Sequence, residues 1–314
     1  MMKRWYSLSE VPAGWGPSAV TIGKFDGVHL GHREILRQLR ELADSRGLAS
    51  TLITFDRHPA EITAPDAAPL EILSDADRLD LIAQQGVEAA LVLPFDQELA
   101  AVSPREFVTE ILLGTLQAQA VLVGHDFRFG AHAQGTVELL IELGQELGFD
   151  VVLIEDVKED GHGRISSSHI RQLIAAGEVA QATELLGSYP RVSGEVVHGH
   201  KRGRELGFPT ANIGHDARIV IPGDGVYAGW FVDAGKRYPA AISVGTNPTF
   251  EGNMSRTVEA YLLDENLDLY GHMATVEFVA RIRGMVAFNG VEDLVKQMHD
   301  DVRITRELVG SGKQ

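Results

Sequence analysis

The apolar residues of this chain change character near residue 187, and that change limits the folds open to it. Before it, short β-branched runs alternate with stretches of helical spacing. Residues 19–23 read as a strand, and from Gly31 the residues Ile35, Leu36, Leu39, Leu42 and Ala43 recur at helical spacing up to Gly47. The pattern repeats as strands over 48–55, 87–95, 118–124 and 150–157, with helices over 76–85, 104–116 and 135–147. Five apolar strands alternating with helices predict a parallel, doubly wound α/β sheet, whose ligand crevice lies at the carboxyl ends of the strands.

After Gly187-Ser188-Tyr189-Pro190 the helical spacing disappears. Strand-like runs at 192–197, 226–232, 239–244, 258–263 and 273–282, separated by Gly, Pro, Asn and Asp clusters, predict an all-β barrel or sandwich. One amphipathic helix over 291–309, with Leu294, Val295, Met298, Val302 and Ile304 as its apolar residues, closes the chain. A length of 314 residues suits two domains, with bounds 1–186 and 187–314.

Composition narrows the chemistry. The chain has no cysteine, which excludes disulfides, thiolate catalysis and iron–sulfur clusters and leaves oxygen or imidazole as ligands for any metal. No apolar run reaches the ~18 residues of a membrane span and no apolar signal core follows Met1, so a cytoplasmic protein without a membrane partner is expected. Up to Leu186 there are 14 basic and 28 acidic residues, against 14 and 16 afterwards, so 14 of the 16 net negative charges belong to the first part. Such a surface argues against a nucleic-acid groove. An anionic small molecule would have to be held by backbone amides, a few local cations or Mg2+. Oligomeric state is not written in any of these patterns.

The unusual polar residues fall in the strand-end loops. Gly23-Lys24-Phe25-Asp26-Gly27-Val28-His29-Leu30-Gly31-His32 ends the first strand and opens the first helix. Two histidines three residues apart can face the positive end of that helix, while Gly27 and Gly31 admit a phosphate close to the backbone. A second loop, Gly124-His125-Asp126-Phe127-Arg128-Phe129-Gly130, offers Asp126 and Arg128 to a ribose or phosphate. Phe127 and Phe129 suit an aromatic ligand or the core equally. In Ile165-Ser166-Ser167-Ser168-His169-Ile170-Arg171 three hydroxyls and an arginine in one helical turn exceed what capping needs and form a second anion site. Beyond the period change, the loop from Gly199 to Asn212, with Lys201, Gly203, Pro209, Thr210 and Asn212, can fold over phosphates, and Thr210 and Asn212 offer hard oxygens to Mg2+. The same residues read as well as a charged hairpin turn.

Taken in order, GKFDGVHLGH (Gly23 to His32), VGHDFRFG (Val123 to Gly130), ISSSHIR (Ile165 to Arg171), GRELGFPTAN (Gly203 to Asn212) and TVEAYLLD (Thr257 to Asp264) resemble the bacterial bifunctional riboflavin kinase/FMN adenylyltransferase family, also called FAD synthetase. The resemblance runs over nearly the whole chain. It implies a nucleotidyltransferase Rossmann-like domain that joins FMN to the AMP portion of ATP, releasing pyrophosphate, and then a barrel domain that phosphorylates riboflavin to FMN. It further implies that Glu259 is the base of the kinase step, with Thr210 and Asn212 at Mg2+ and phosphate and Gly199, Lys201 and Gly203 in the loop over the nucleotide. For adenylyl transfer it implies His29, His32 and Arg171 as catalytic groups. Gly23, Phe25, Asp26, Gly27, Gly31, Asp126, Phe127, Ser166, Ser167 and Ser168 are then expected around the nucleotide. Ser168 stands where the family commonly has threonine, Lys24 where asparagine is frequent and Arg57 where proline is common, which bears on affinity. His58, His162, His198 and His200 are expected to be surface or loop histidines.

Overall fold

A computed structural model describes residues 1–154, 158–159, 163–199, 206–248, 254–265 and 267–310. The chain divides into two compact units, Met1–Pro69 with Asp75–Ser166, and Leu70–Ser74 with Ser167–Gln314.

The first unit is the expected parallel sheet with one strand more than the periodicity revealed. Strands β1 (Lys3–Trp5), β2 (Ser18–Ile22), β3 (Ala49–Phe55), β4 (Ala89–Leu93), β5 (Ala118–Gly124) and β6 (Asp150–Ile154) lie in the order β1-β4-β3-β2-β5-β6, every pair parallel. The extra strand, β1, is a three-residue edge whose pattern is too short to carry a period. The central strands are buried on both faces: Val20, Leu52, Ile53, Ala90 and Leu91 have no exposed surface. Each large side chain among them contributes about 2 kcal/mol of burial. Helix α1 (Leu30–Arg46) buries Leu36, Leu39 and Ala43 against this sheet, and α2 (Asp75–Gln84) buries Leu79, Leu81 and Ile82. The helix expected over 104–116 is present, as a short α-turn, Pro104–Glu106, that continues as a π-helical stretch, Phe107–Thr115. Helix α3 (Val137–Leu147) precedes β6.

The second unit resolves the choice between barrel and sandwich. A hairpin, β7 (Lys158–Glu159) with β8 (Gly163–Arg164), ends the first unit. Helices α4 (Ser167–Ala176) and α5 (Val179–Leu186) then lead into β9 (Arg191–Val197), β10 (Ala211–Gly214), β11 (Gly225–Asp233), β12 (Lys236–Pro248), β13 (Met254–Leu262) and β14 (Met273–Arg283). These six strands close a barrel in the order β10-β13-β12-β11-β14-β9, all antiparallel. Inward residues alternate with outward ones: Val258 and Ala260 are fully buried, as are Phe231, Ile242, Val244 and Phe278. Helix α6 (Val291–Gly310) comes last and is tied to β14 by Arg283, which donates to Asp301 from both Nε and Nη2.

Two features of this unit lie outside any local pattern. Glu71 forms a parallel bridge to Ile219, its N–H donating to the Arg218 carbonyl at 2.7 Å and its carbonyl accepting from Val220 at 2.8 Å. Helix α4 is anchored where Arg281 donates to the Ala176 carbonyl at 3.3 Å and to the Asp224 carbonyl at 2.7 Å.

Candidate active sites

In the α/β unit, the loop after β2 and the start of α1 bring the two histidines into contact. His29 is the N-cap of α1: its Nδ1 accepts the His32 N–H at 3.3 Å. In the neutral ring the proton is therefore on Nε2, which is left as a donor. The two imidazoles stack, centroids 3.6 Å apart and planes 18° from parallel. A Cβ on Gly31 would lie 3.2 Å from the His29 ring, so glycine lets that ring sit over the first turn. Phe25, buried and at φ +54°, packs on Gly23 and sets its ring 4.9 Å from that of His32. Asp26 is buried beside it and Gly27 takes φ +82°.

The electrostatics differ from a simple cationic cradle. Burial lowers the His29 pKa to about 4. That of His32 falls well below the ordinary value through burial, the neighbouring His29 and the Arg78 guanidinium. Both rings are neutral near pH 7 and act as N–H donors at the helix N-terminus rather than as fixed positive charges. Among the described residues no hydrogen-bond partner reaches His32 Nδ1. Lys24 donates to the Phe55 carbonyl at 3.2 Å and lies 3.7 Å from Asp75, while Arg57 pairs with the adjacent Asp56.

The other expected contributors are spread over both units. Asp126 is exposed in the loop after β5. Half-buried Phe127 stacks at 5.5 Å on Phe129, which is itself buried in the core against Phe107. Ser166 closes the first unit, whereas Ser167, Ser168 and Arg171 belong to α4 of the second, where Arg171 donates to the Ser168 hydroxyl at 3.4 Å. Lys201 and Gly203, with His162 and His200, lie outside the described residues. His198 is exposed and its ring lies 3.9 Å from that of Tyr270.

On the barrel, register does what sequence separation hides. Asn212 on β10 is directly opposite Glu259 on β13. The flanking Ala211, Ile213, Val258 and Ala260 are buried inward, which turns Asn212 and Glu259 to the same outer face. The Thr210 hydroxyl donates to Glu259 Oε2 at 3.1 Å. A Cβ on Gly199 would stand 2.3 Å from Asn212 Nδ2 and 2.5 Å from its Cγ, so only glycine allows this loop to lie against the amide. Gly199, Pro209, Thr210 and Asn212 line a cavity of about 690 Å³. Its far wall is the segment after β13, with Glu265, Asp268 and Tyr270. Those wall residues lie beyond the last recognised motif, and their only trace in the sequence is an acidic turn after an apolar strand. Thr210 and Asn212 fit Mg2+ as neutral oxygen ligands that leave most of the ion's charge to substrate phosphates.

The α/β sheet thus carries a histidine pair at a helix N-terminus, and the six-stranded barrel carries a carboxylate beside a Thr/Asn pair. Residues 12–169 match the FAD synthetase family and residues 186–309 the riboflavin kinase family. The bifunctional riboflavin kinase/FMN adenylyltransferase of Escherichia coli strain K12 is 37% identical over 98% of this chain and 97% of its own. That of Pseudomonas fluorescens is 38% identical over 92% of each. A crystal structure described as a macrolide-efflux protein from Streptococcus pneumoniae, 33% identical, superposes with a TM-score of 0.86 over 97% of this chain and 98% of that one. The chain belongs to the bifunctional riboflavin kinase/FMN adenylyltransferase family. It is an enzyme with both activities, FAD synthesis toward its amino terminus and riboflavin phosphorylation toward its carboxyl terminus, with ATP, FMN and FAD among its substrates and products. Among the described residues no helix is long and apolar enough to cross a membrane.

Proposed function

We propose that residues 187–314 phosphorylate riboflavin with Glu259 as general base, and that residues 1–186 adenylylate FMN with His29, His32 and Arg171 as the groups that meet the phosphates. The observation that carries the kinase assignment is the 3.1 Å bond from Thr210 to Glu259, with Asn212 directly across the strand pair. An alcohol is a poor nucleophile at pH 7 and needs a base within ~3 Å. In this reading the Glu259 carboxylate takes the proton of the ribityl 5′-hydroxyl as its oxygen bonds to the γ-phosphorus of ATP and ADP leaves. Thr210 and Asn212 hold Mg2+, which when bound neutralises charge on the transferring phosphate. Gly199, Lys201, Gly203 and Pro209 border the nucleotide.

The adenylyl step asks for less. The phosphate of FMN, with a second pKa of ~6 as in phosphoserine, is already an anion and attacks the α-phosphorus of ATP without a base. Alignment and stabilisation of the leaving pyrophosphate are then the whole task. The N–H donors of His29 and His32 serve it, together with Gly23, Phe25, Asp26, Gly27 and Gly31 from the same loop, Asp126 and Phe127, and Ser166, Ser167, Ser168 and Arg171. The acidic composition argues against a nucleic-acid partner, and the chain is read as a cytoplasmic enzyme acting on small molecules without a membrane partner. Incubating the protein with riboflavin, ATP and Mg2+ and resolving the flavins by chromatography tests the division. FMN and then FAD are expected, and unchanged riboflavin would overturn it.

A further inference from the structure

Arg78, on α2 of the α/β unit, has no exposed surface, and beyond its influence on His32 it has no role assigned above. Its Nη1 donates to the Lys24 carbonyl at 2.6 Å and to the Thr54 hydroxyl at 3.2 Å. Its Nη2 donates to the Phe55 carbonyl at 2.8 Å and to Asp75 Oδ1 at 2.5 Å. Nε has no hydrogen-bond partner among the described residues. A guanidinium is costly to bury, and this one is compensated by a single carboxylate, a hydroxyl and two peptide carbonyls. Those carbonyls mark the points where β2 and β3, neighbours in the sheet, run out into their loops: the Gly23 N–H still bonds the Ile53 carbonyl, and the next groups turn to Arg78.

The segment just after Lys24 is the loop that presents the histidines. Phe25 is held at φ +54°, its ring abuts that of His32, and His32 stacks on His29. A shift of the Lys24 peptide therefore reaches His32 through the Phe25 ring and His29 through His32. Lysine cannot substitute, because one ammonium cannot span two strand ends, a hydroxyl and a carboxylate as a planar fork does. We propose that Arg78 is a positioning residue for adenylyl transfer, fixing through Lys24 and Phe25 the orientation of the His29–His32 pair. The proposal rests on the reading that this pair meets the reacting phosphates.

The test uses the full-length enzyme, with FAD formed from FMN, ATP and Mg2+ as the readout and riboflavin phosphorylation by the same preparation as the control. Arg78→Lys is expected to lower kcat for FAD formation about 100-fold, the scale of a 1 Å misplacement, while FMN formation is unchanged. The double variant Arg78→Lys/His32→Ala is expected to be no slower than His32→Ala alone, since a residue acting through the imidazole adds nothing once it is gone. Full kcat in Arg78→Lys, or losses that multiply in the double variant, overturns the inference while inactivity of His32→Ala leaves the phosphate reading standing. Full activity of both His29→Ala and His32→Ala removes that reading and the inference with it. Should Arg78→Lys fail to fold, Thr54→Val, which removes one acceptor of the fork, is expected to lower kcat with KM for FMN unchanged; an unaltered kcat there overturns the proposal.

Discussion

The two halves of this enzyme build their candidate sites from opposite materials. In the α/β unit the histidine pair and its glycines come from one stretch, Gly23 to His32, and a helix N-terminus gathers them. In the barrel, Thr210 and Glu259 are 49 positions apart and meet because two antiparallel strands set them in register. The first arrangement supplies oriented N–H donors and suits an acceptor that arrives ionised. The second supplies a carboxylate and suits an acceptor that must lose a proton. On the proposed reading, the helix terminus serves alignment and the side chain fixed on a strand serves proton removal.

The largest effect expected from breaking this contrast is on the barrel side. Glu259→Gln keeps the shape and the acceptor for Thr210 but removes the base, and should lower riboflavin phosphorylation by about 10³-fold. Conversion of supplied FMN to FAD should be unchanged, and equal loss of both activities, read by flavin chromatography, would refute the division. Next in size, His29→Ala should slow FAD formation from FMN by about 10²-fold, the scale of losing one preorganised donor, with FMN accumulating from riboflavin. Normal FAD output from that variant would make His29 merely a helix cap.

A subtler perturbation sharpens the barrel site. In Gly199→Ala the new methyl meets the Asn212 amide, so the loop or the amide must move. The expected result is a rise of about tenfold in KM for ATP in the kinase reaction, the loss of roughly one good hydrogen bond to a charged group, with adenylylation unaffected. A further effect falls on stability rather than on rate. His29 titrates at about 4 in the folded protein against 6.5 when unfolded, so its neutral form favours the native state. That contribution, about 3 kcal/mol, is fully present above pH 6.5 and is lost as pH falls toward 4. Thermal melts of the α/β unit should decline over that interval, and His29→Gln should flatten the decline; an identical pH profile in the variant would remove the assignment.

Much of the fold was legible because period is a local property. Five of the six parallel strands and five of the six barrel strands carry enough apolar residues to announce themselves. Strand β1 is too short, and β10 hides within Pro209-Thr210-Ala211-Asn212, where proline and asparagine read as turn. The histidine loop was legible for the same local reason, and Glu259 only through resemblance, since a glutamate between Val258 and Ala260 looks like any outward residue of a strand. The neutral state of the imidazoles was not legible at all, because it arises from burial and from a distant arginine. Nor was Arg78 itself: on an amphipathic helix beside Asp75, Asp77 and Asp80 it reads as one more solvated charge.

The bridge between Glu71 and Ile219 carries a consequence for how such a gene can be dissected. A fragment starting at residue 187 would encode every strand of the barrel yet arrive without the peptide that caps residues 218–220 and without the two helices that brace its last strand. The compact unit that holds the barrel is therefore assembled from separate stretches of one polypeptide.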